Sequence, residues 1–463
     1  MNSEGQQATR KNLLLDYPEM FHLAVKEIVA DPAPVRVPGQ FTPGFALPEQ
    51  DDNYRKFASV ATASWHRLGE YRGRRISLLD LMENPGTHTT KTFPSLLIAA
   101  RAVEYIRRSG ERIVIMTPSS ANKGTALRDA VLRAINAGLV EPEQLRVVTL
   151  SPQSSRYKLR KSELTRDSAL RELNPILLYT GERSEDVKRI GRAFVDEYAS
   201  ELQKRHKLNI WYSLDIRNYL VADAARASFE NSVSPTAEAG APRWHAHAVS
   251  SAYGMLGYHA GRRVLEEAGV ATPATRPGTL LVQHLGTPDM VLSLRNGGDF
   301  SRSRLPGYRL DSESGLYRRN GDDPHYPQVT HDPEEVLDPT FYTHRPVTSP
   351  DMNEVIKQYG GDGIVVSLEE CLQRYPQLRG WLSRSSRPLP TDLRTVREWS
   401  TIMAFTGALA AIEREIVPGD REVVVHASGC YTTEDFVSVD ESETVPVQSP
   451  SAVARALVQD GLR

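Results

Sequence analysis

One lysine, Lys91, stands in the polar run ENPGTHTTKTFPS (residues 83–95), directly ahead of an apolar stretch. Pro94 suits the first turn of a helix. The Lys91 ammonium would then sit near the positive end of a helix dipole, where a cation is mildly disfavoured. Two readings follow. Lys91 is a solvated lysine at a helix start, or it is an amine placed to act as a nucleophile. A lysine whose pKa is lowered can form a Schiff base with a carbonyl cofactor.

Three further stretches have residue types that could hold a ligand. In TPSSANKGTA (117–126), Ser119, Ser120 and Asn122 lie between a strand and a helix. Hydroxyls and backbone N–H groups at a helix N-terminus suit a carboxylate or a phosphate. The order Lys123-Gly124 is the reverse of a P-loop's Gly-Lys, and an ordinary capped turn is the alternative. In HAVSSAYGMLGYHAG (247–261), the segment Ser250, Ser251, Ala252, Tyr253 and Gly254 reads as a second anion site at a helix start. Alternatively Gly254, Gly257 and Gly261 serve close helix packing. In VVVHASGCYTTEDF (423–436), a buried strand ends at Ser428-Gly429, where a hydroxyl could face a ligand or simply make a turn.

Other features are less specific. His245 and His247, two apart on a strand, share a face, but no acidic or cysteine partner stands near them in sequence, so no metal site is expected. The basic run 156–166 reads as solvated surface rather than a phosphate clamp. Cys430 reads as a small core residue.

The elements that must position these residues alternate. LLIAARAVEYIRRSG has Leu97, Ala100, Val103 and Ile106 at helical spacing, and Gly110 stops it. Short apolar strands follow at RIVIMT, LRVVTL, ILLYTG, NIWYSLD, TLLVQHLG, DGIVV and REVVVHASG, with amphipathic helices between them. This order predicts an α/β protein with mainly parallel sheets. Residues 1–75, Pro-rich in places, read as an N-terminal extension of helices and loops. Residues 295–346, rich in Gly, Pro, Asp and Arg, read as an irregular insert.

Bulk properties limit the function classes. Lys plus Arg is 56 and Asp plus Glu is 58 in 463 residues, so the net charge is −2, which gives no reason to expect a nucleic acid or an anionic membrane as partner. Two cysteines build no disulfide framework. No stretch is apolar for long enough to span a bilayer, and the opening residues do not read as a signal peptide. A cytoplasmic protein is expected.

Taken together and in order, the four stretches resemble the fold-type II pyridoxal phosphate enzymes, the tryptophan synthase β-like group, with a layout similar to threonine synthase-like members. ENPGTHTTKTFPS resembles that family's E-x-x-N-P-T-G-S-F-K-D-R, and SSANKG its S-S-G-N-T-G. VSSAYGMLG falls at its phosphate loop, FTGALAAIERE resembles its E-P-S-G-A-A-A-L-A helix, and HASG its late T-G or S-G. The resemblance implies two α/β domains with pyridoxal 5'-phosphate in the cleft between them. The large domain would be 76–95 plus 235–463, with the insert 295–346, and the small mobile domain 96–234. It implies Lys91 as Schiff-base lysine and general base, and Asn122 at the cofactor's ring oxygen. Residues 250–254 would cradle the phosphate, Ser428 would face the pyridine nitrogen, and Ser119 and Ser120 would hold the substrate carboxylate. A homodimer is the family expectation.

The sequence departs from the family pattern at Thr92 and Phe93, which replace Asp and Arg. The phosphate loop is poor in glycine, and Ala404 stands where the E-P-S-G-A motif has its acid. The implied chemistry is β- or γ-elimination or replacement on an activated amino acid, with the Arg-rich insert or the Arg156–Arg160 run receiving a phosphate leaving group. The alternative is a catalytically altered relative that binds a ligand or a partner protein. A nucleotide-binding α/β protein is disfavoured, because no G-x-G-x-x-G or P-loop follows a strand.

Overall fold

The computed structural model describes residues 8–234, 243–419 and 421–459. Residues 1–7 of the expected extension, and the domain boundary expected at 235, lie outside the described residues.

The strands in chain order are β1 (Thr9–Asn12), β2 (Thr62–Tyr71), β3 (Arg74–Asp80), β4 (Arg112–Pro118), β5 (Leu145–Pro152), β6 (Ile176–Tyr179), β7 (Leu208–Tyr212) and β8 (Trp244–Ala248). They continue with β9 (Gly278–His284), β10 (Tyr308–Leu310), β11 (Tyr317–Arg319), β12 (Val329–Thr330), β13 (Gly361–Val366), β14 (Val423–Ala427) and β15 (Val445–Val447). The chain forms two compact units: Met1–Met20, Thr62–Thr90 and Asp223–Thr432 in the first, and Phe21–Ala61, Lys91–Ala222 and Thr433–Arg463 in the second.

The first unit holds a seven-stranded sheet in the order β1-β2-β3-β14-β8-β9-β13. From β3 to β13 it is parallel, while β1 and β2 are antiparallel. β14 is wholly buried, as a central parallel strand covered on both faces must be, and its sequence VVVHA shows it. The helix Ser400–Glu413 lies in the core, with Ile402, Met403, Phe405 and Leu409 fully buried beside Val282 and Val425.

The second unit holds a five-stranded parallel sheet in the order β15-β6-β5-β4-β7. Its helix Thr92–Ser109 is buried from Thr92 to Ile106 and ends at Gly110, whose φ of 72° provides the left-handed cap.

Two expectations need correction. The segment read as helices and loops up to residue 75 contains the ten-residue strand β2. Its antiparallel place near the sheet edge leaves Arg67, Gly69 and Glu70 exposed, so it lacks the continuous apolar run that marks the central strands. The insert is not wholly irregular either: β10, β11 and β12 form a small antiparallel sheet within it.

Candidate functional site

In each sheet the order of the parallel strands reverses. In the second unit the chain runs outward from β4 to β5 and β6, then returns to place β7 on the other side of β4. In the first it runs from β8 to β9 and β13, and β14 returns beside β8. Ligands of open α/β sheets bind beyond the carboxyl ends of strands at such reversals. The sequence-predicted residues lie at these ends: Ser119, Ser120 and Asn122 after β4, Ser250–Gly254 after β8, and Ser428 after β14.

In the second unit, Lys91 is the N-cap of the helix Thr92–Ser109, half-buried and without a side-chain cap. Its Nζ lies 5.5 Å from the centre of the Tyr219 ring. Asn122 opens the helix Asn122–Asn136, and the residue before it, Ala121, has φ 117°, a backbone state an alanine rarely adopts. Ser119 Oγ accepts from the N–H groups of Ala121 (3.1 Å) and Gly124 (2.8 Å), so this hydroxyl shapes the turn. Ser120 is half-buried. Gly124 is required by packing, because a Cβ there would lie 2.6 Å from Thr149 Cγ2.

Sequence reasoning missed Lys123. Its Nζ lies 5.7 Å from the centre of the same Tyr219 ring and donates to Ser213 O (3.1 Å) and Ser213 Oγ (3.0 Å). Burial, and then the nearby Lys91 cation, lower its pKa to about 7.

In the first unit, the loop before Lys91 is tied to the end of β14. Thr90 N donates to Ser428 O at 2.8 Å, Cys430 N donates to His88 O at 3.2 Å, and Thr89 bridges Gly429. Ser428 is itself buried. In the loop after β8, Ser250 Oγ donates to Thr343 Oγ1 at 3.1 Å, and Ser251 O accepts from Thr348 Oγ1 at 2.7 Å. Ala252, with φ 50°, precedes the helix Tyr253–Glu267.

Against the first turn of that helix lies Arg226, which no motif announced. It is 0% exposed. Its Nη2 donates to Thr90 Oγ1 (2.5 Å) and Asp223 Oδ1 (2.6 Å), whereas Nε and Nη1 have no partner among the described residues. A Cβ on Gly254 would stand 2.8 Å from Nη1. Gly254 therefore makes room for a guanidinium, while Gly261 serves packing, since a Cβ there would meet the Ala224 carbonyl oxygen at 2.2 Å. The two readings of this glycine run divide between its members.

Ala404 is a fully buried core residue inside the helix. The helix starts at Ser400, so Glu398-Trp399-Ser400 occupies its head, and the buried Glu398 accepts from Ser400 Oγ at 2.6 Å. A Cβ on Gly429 would meet Glu398 Cγ at 2.8 Å, which puts this acid beside the Ser428-Gly429 turn.

His245 and His247 have neighbours invisible in the local sequence. His245 Nδ1 lies 2.7 Å from His426 Nε2, and its Nε2 lies 3.2 Å from Glu230 Oε1. Arg243 joins Glu230 (2.8 Å) to Glu422 (2.7 Å), and Tyr258 donates to Glu230. Burial alone would raise the Glu230 carboxyl, but His245, Arg243 and the Tyr258 hydroxyl more than offset it and hold it well below the usual range. This is a buried ionic network. No group of three or more His, Cys, Asp or Glu side chains placed to hold a metal ion occurs among the described residues.

Several of the arginines considered for a leaving group make contacts within their own unit. Arg302, Arg304 and Arg318 pair with Glu334, Asp299 and Asp311, and Arg319 donates to backbone carbonyls of its own loop. Arg156 donates to Val439 O at 2.8 Å, and Arg160 covers the Phe436 ring at 4.8 Å. Cys371 and Cys430 are both buried. Among the described residues, no helix is long and apolar enough to cross a membrane.

Solved structures share this fold. The chain is similar to threonine synthase from yeast, with a TM-score of 0.50 and 10% identity over 88% of this chain and 84% of that one. It is also similar to the PLP-bound threonine synthase from Brucella melitensis (TM-score 0.49, 12% identity, 84% of this chain and 79% of that one). The threonine synthase from Escherichia coli gives a TM-score of 0.47 at 14% identity, over 83% and 73% of the two chains. No curated protein sequence matches this chain. By sequence it belongs to the family described as a family of unknown function, DUF6002, whose model matches residues 9–460.

Proposed function

We propose that this chain is a pyridoxal phosphate-dependent enzyme of amino-acid metabolism, catalysing β- or γ-elimination or replacement on an activated amino acid, in the manner of a threonine synthase. The observation that carries the cofactor is Arg226, a buried guanidinium with two unpaired N–H groups against the first turn of the helix Tyr253–Glu267. A phosphate dianion at the helix N-terminus would accept from Nη1, the donor that faces Gly254. It explains how a loop poor in glycine could still hold the group: a side-chain cation replaces part of the backbone cradle.

In this reading Arg226 and residues 250–254 hold the phosphate, Lys91 holds the carbonyl carbon, Asn122 the ring oxygen, and Ser428 the pyridine nitrogen. When bound, the cofactor supplies the electron sink for the carbanion that forms on the substrate. Lys91 Nζ removes the proton from the substrate's Cα. Ser120 and the N–H groups of its turn receive the substrate carboxylate, and Ser119 fixes the turn's shape. The enzyme works as a cytoplasmic homodimer.

The test is solvent deuterium exchange at Cα. The loaded protein is incubated in D2O with O-activated serine and homoserine, and exchange is followed by NMR. Exchange that disappears in Lys91→Ala supports the proposal; an absence of exchange with every amino acid tried contradicts it. The internal use of the Ser250 hydroxyl favours a second reading, in which the fold holds a ligand without turnover. That reading predicts cofactor uptake with no exchange.

A further inference from the structure

Thr87, Thr89 and Thr90 stand in the loop just ahead of Lys91. That loop is held in one shape. Thr87 N and His88 N both donate to Asn84 O, at 3.1 and 2.7 Å. His88 has φ 51°, a left-handed state that persists in a residue other than glycine where its surroundings hold it. Thr87 Oγ1 accepts from Thr89 N at 3.3 Å, inside the loop. Thr90 reaches out of the loop in two directions. Its N–H donates to Ser428 O at 2.8 Å, and its Oγ1 accepts from Arg226 Nη2 at 2.5 Å.

The second of these bonds bears on where Arg226 points. A guanidinium is planar, and both hydrogens of Nη2 lie in its plane. One meets Thr90 Oγ1 and the other meets Asp223 Oδ1, at 2.5 and 2.6 Å. Two fixed acceptors on one nitrogen fix that plane, and with it the direction of Nη1, the donor that faces Gly254. Thr90, Asp223 and Arg226 are all buried, so bulk water does not compete for Nη2. A guanidinium that lost one of the two acceptors could turn, and its ordering would then be subtracted from the affinity for an anion.

We propose that Thr90 is a positioning residue of the phosphate site: its hydroxyl holds the Arg226 guanidinium with Nη1 toward Gly254, in the orientation that receives a phosphate dianion. This deepens the reading of Arg226 given above and rests on it. Phosphate affinity then depends on the hydroxyl of the residue that immediately precedes Lys91.

The experiment uses the full-length protein without cofactor, and inorganic phosphate as the probe. The thermal midpoint is followed against phosphate concentration, at an ionic strength kept constant with chloride, for the wild type, Thr90→Val, Thr90→Ser and Arg226→Met. Valine keeps the shape of the residue and its backbone N–H but has no hydroxyl; serine keeps the hydroxyl. The part of the shift that Arg226→Met loses belongs to the site, as distinct from the general effect of phosphate on proteins. For that part, Thr90→Val should need about tenfold more phosphate than the wild type, as for loss of a hydrogen bond to a charged group. Thr90→Ser should respond like the wild type. Thr90→Ala carries the same expectation as Thr90→Val should valine prevent folding.

The midpoint without phosphate reports the structural cost separately. A Thr90→Val protein with a lower midpoint but the phosphate dependence of the wild type has lost only a structural bond, and overturns the inference. A wild-type response no larger than that of Arg226→Met overturns it too. The cofactor reading fails separately. A site response that weakens in Thr90→Val, in a protein that takes up no pyridoxal 5'-phosphate, keeps the positioning role and removes the cofactor. Uptake of pyridoxal 5'-phosphate on Lys91 with equal affinity in the wild type and Thr90→Val keeps the cofactor and overturns the positioning role.

Discussion

Arg226 donates a hydrogen bond to the hydroxyl of Thr90, the residue that immediately precedes Lys91. The same guanidinium pairs with Asp223 and keeps Nε and Nη1 without partners among the described residues, at 0% exposure. Leaving charged donors buried and unsatisfied is costly, which argues for a ligand acceptor.

Replacing Arg226 separates phosphate recognition from recognition of the rest of the cofactor. Arg226→Met should weaken binding of pyridoxal 5'-phosphate by about 10- to 100-fold, the range of a charge-assisted hydrogen bond. Pyridoxal, which lacks the phosphate, should bind to both proteins equally. Fluorescence titration with the two ligands measures this, and an equal loss for both would mean that Arg226 only supports the fold.

Gly261 and Gly254 should respond differently to a methyl group. At Gly261 the added Cβ would lie 2.2 Å from the Ala224 carbonyl oxygen, so two helices must separate. Gly261→Ala is expected to cost about 1–3 kcal/mol or more, visible as a lower thermal midpoint. Gly254→Ala meets only the end of the Arg226 side chain. It should keep more of the stability and lose phosphate affinity instead.

Lys123 imposes a sign on the pH dependence of stability. Its folded-state pKa is lowered to about 7, mainly by burial, against an unfolded value near the ordinary lysine figure. Between about pH 7 and about pH 10.4 the unfolded chain binds the extra proton, so this residue makes stability rise with pH in that window. Below it, the penalty for charging Lys123 is present in full. Urea unfolding of Lys123→Met should show a flatter profile across the window, and the same slope in both proteins would contradict a neutral Lys123.

Glu230 joins Arg243, His245 and Tyr258 in the core. Glu230→Gln removes a carboxylate that contacts all three and leaves the Arg243 cation partly unmatched. The expected loss is about 3–5 kcal/mol. Calorimetry should show it without selective loss of phosphate binding, because Arg226 is not in this network. Preserved stability would mean that desolvating the Glu230 carboxylate costs as much as its partners return.

The loops were more legible than the residues that complete them. Strands such as β14 are continuous apolar runs, and the turn signals after β4 and β8 mark helix starts, so the places of Lys91, Asn122 and the 250–254 segment in the fold could be read from local sequence. Arg226 gave no such signal. It sits in an alanine-rich helix beside Asp223, and its meaning depends on Thr90, 136 residues away. Lys123 was seen only as part of a turn, because the ring it shares with Lys91 comes from a separate helix. β15 is three residues long and acquires its place only by pairing with β6.

The central claim is that Lys91 is the amine that bonds the cofactor. Purified protein is mixed with pyridoxal 5'-phosphate, reduced with borohydride, digested and mapped by mass spectrometry, with Lys91→Ala alongside. The account predicts a visible band that disappears on reduction, a phosphopyridoxyl label on Lys91, and neither in Lys91→Ala. A band that persists unchanged in Lys91→Ala, or a protein that takes up no label at Lys91, would contradict it.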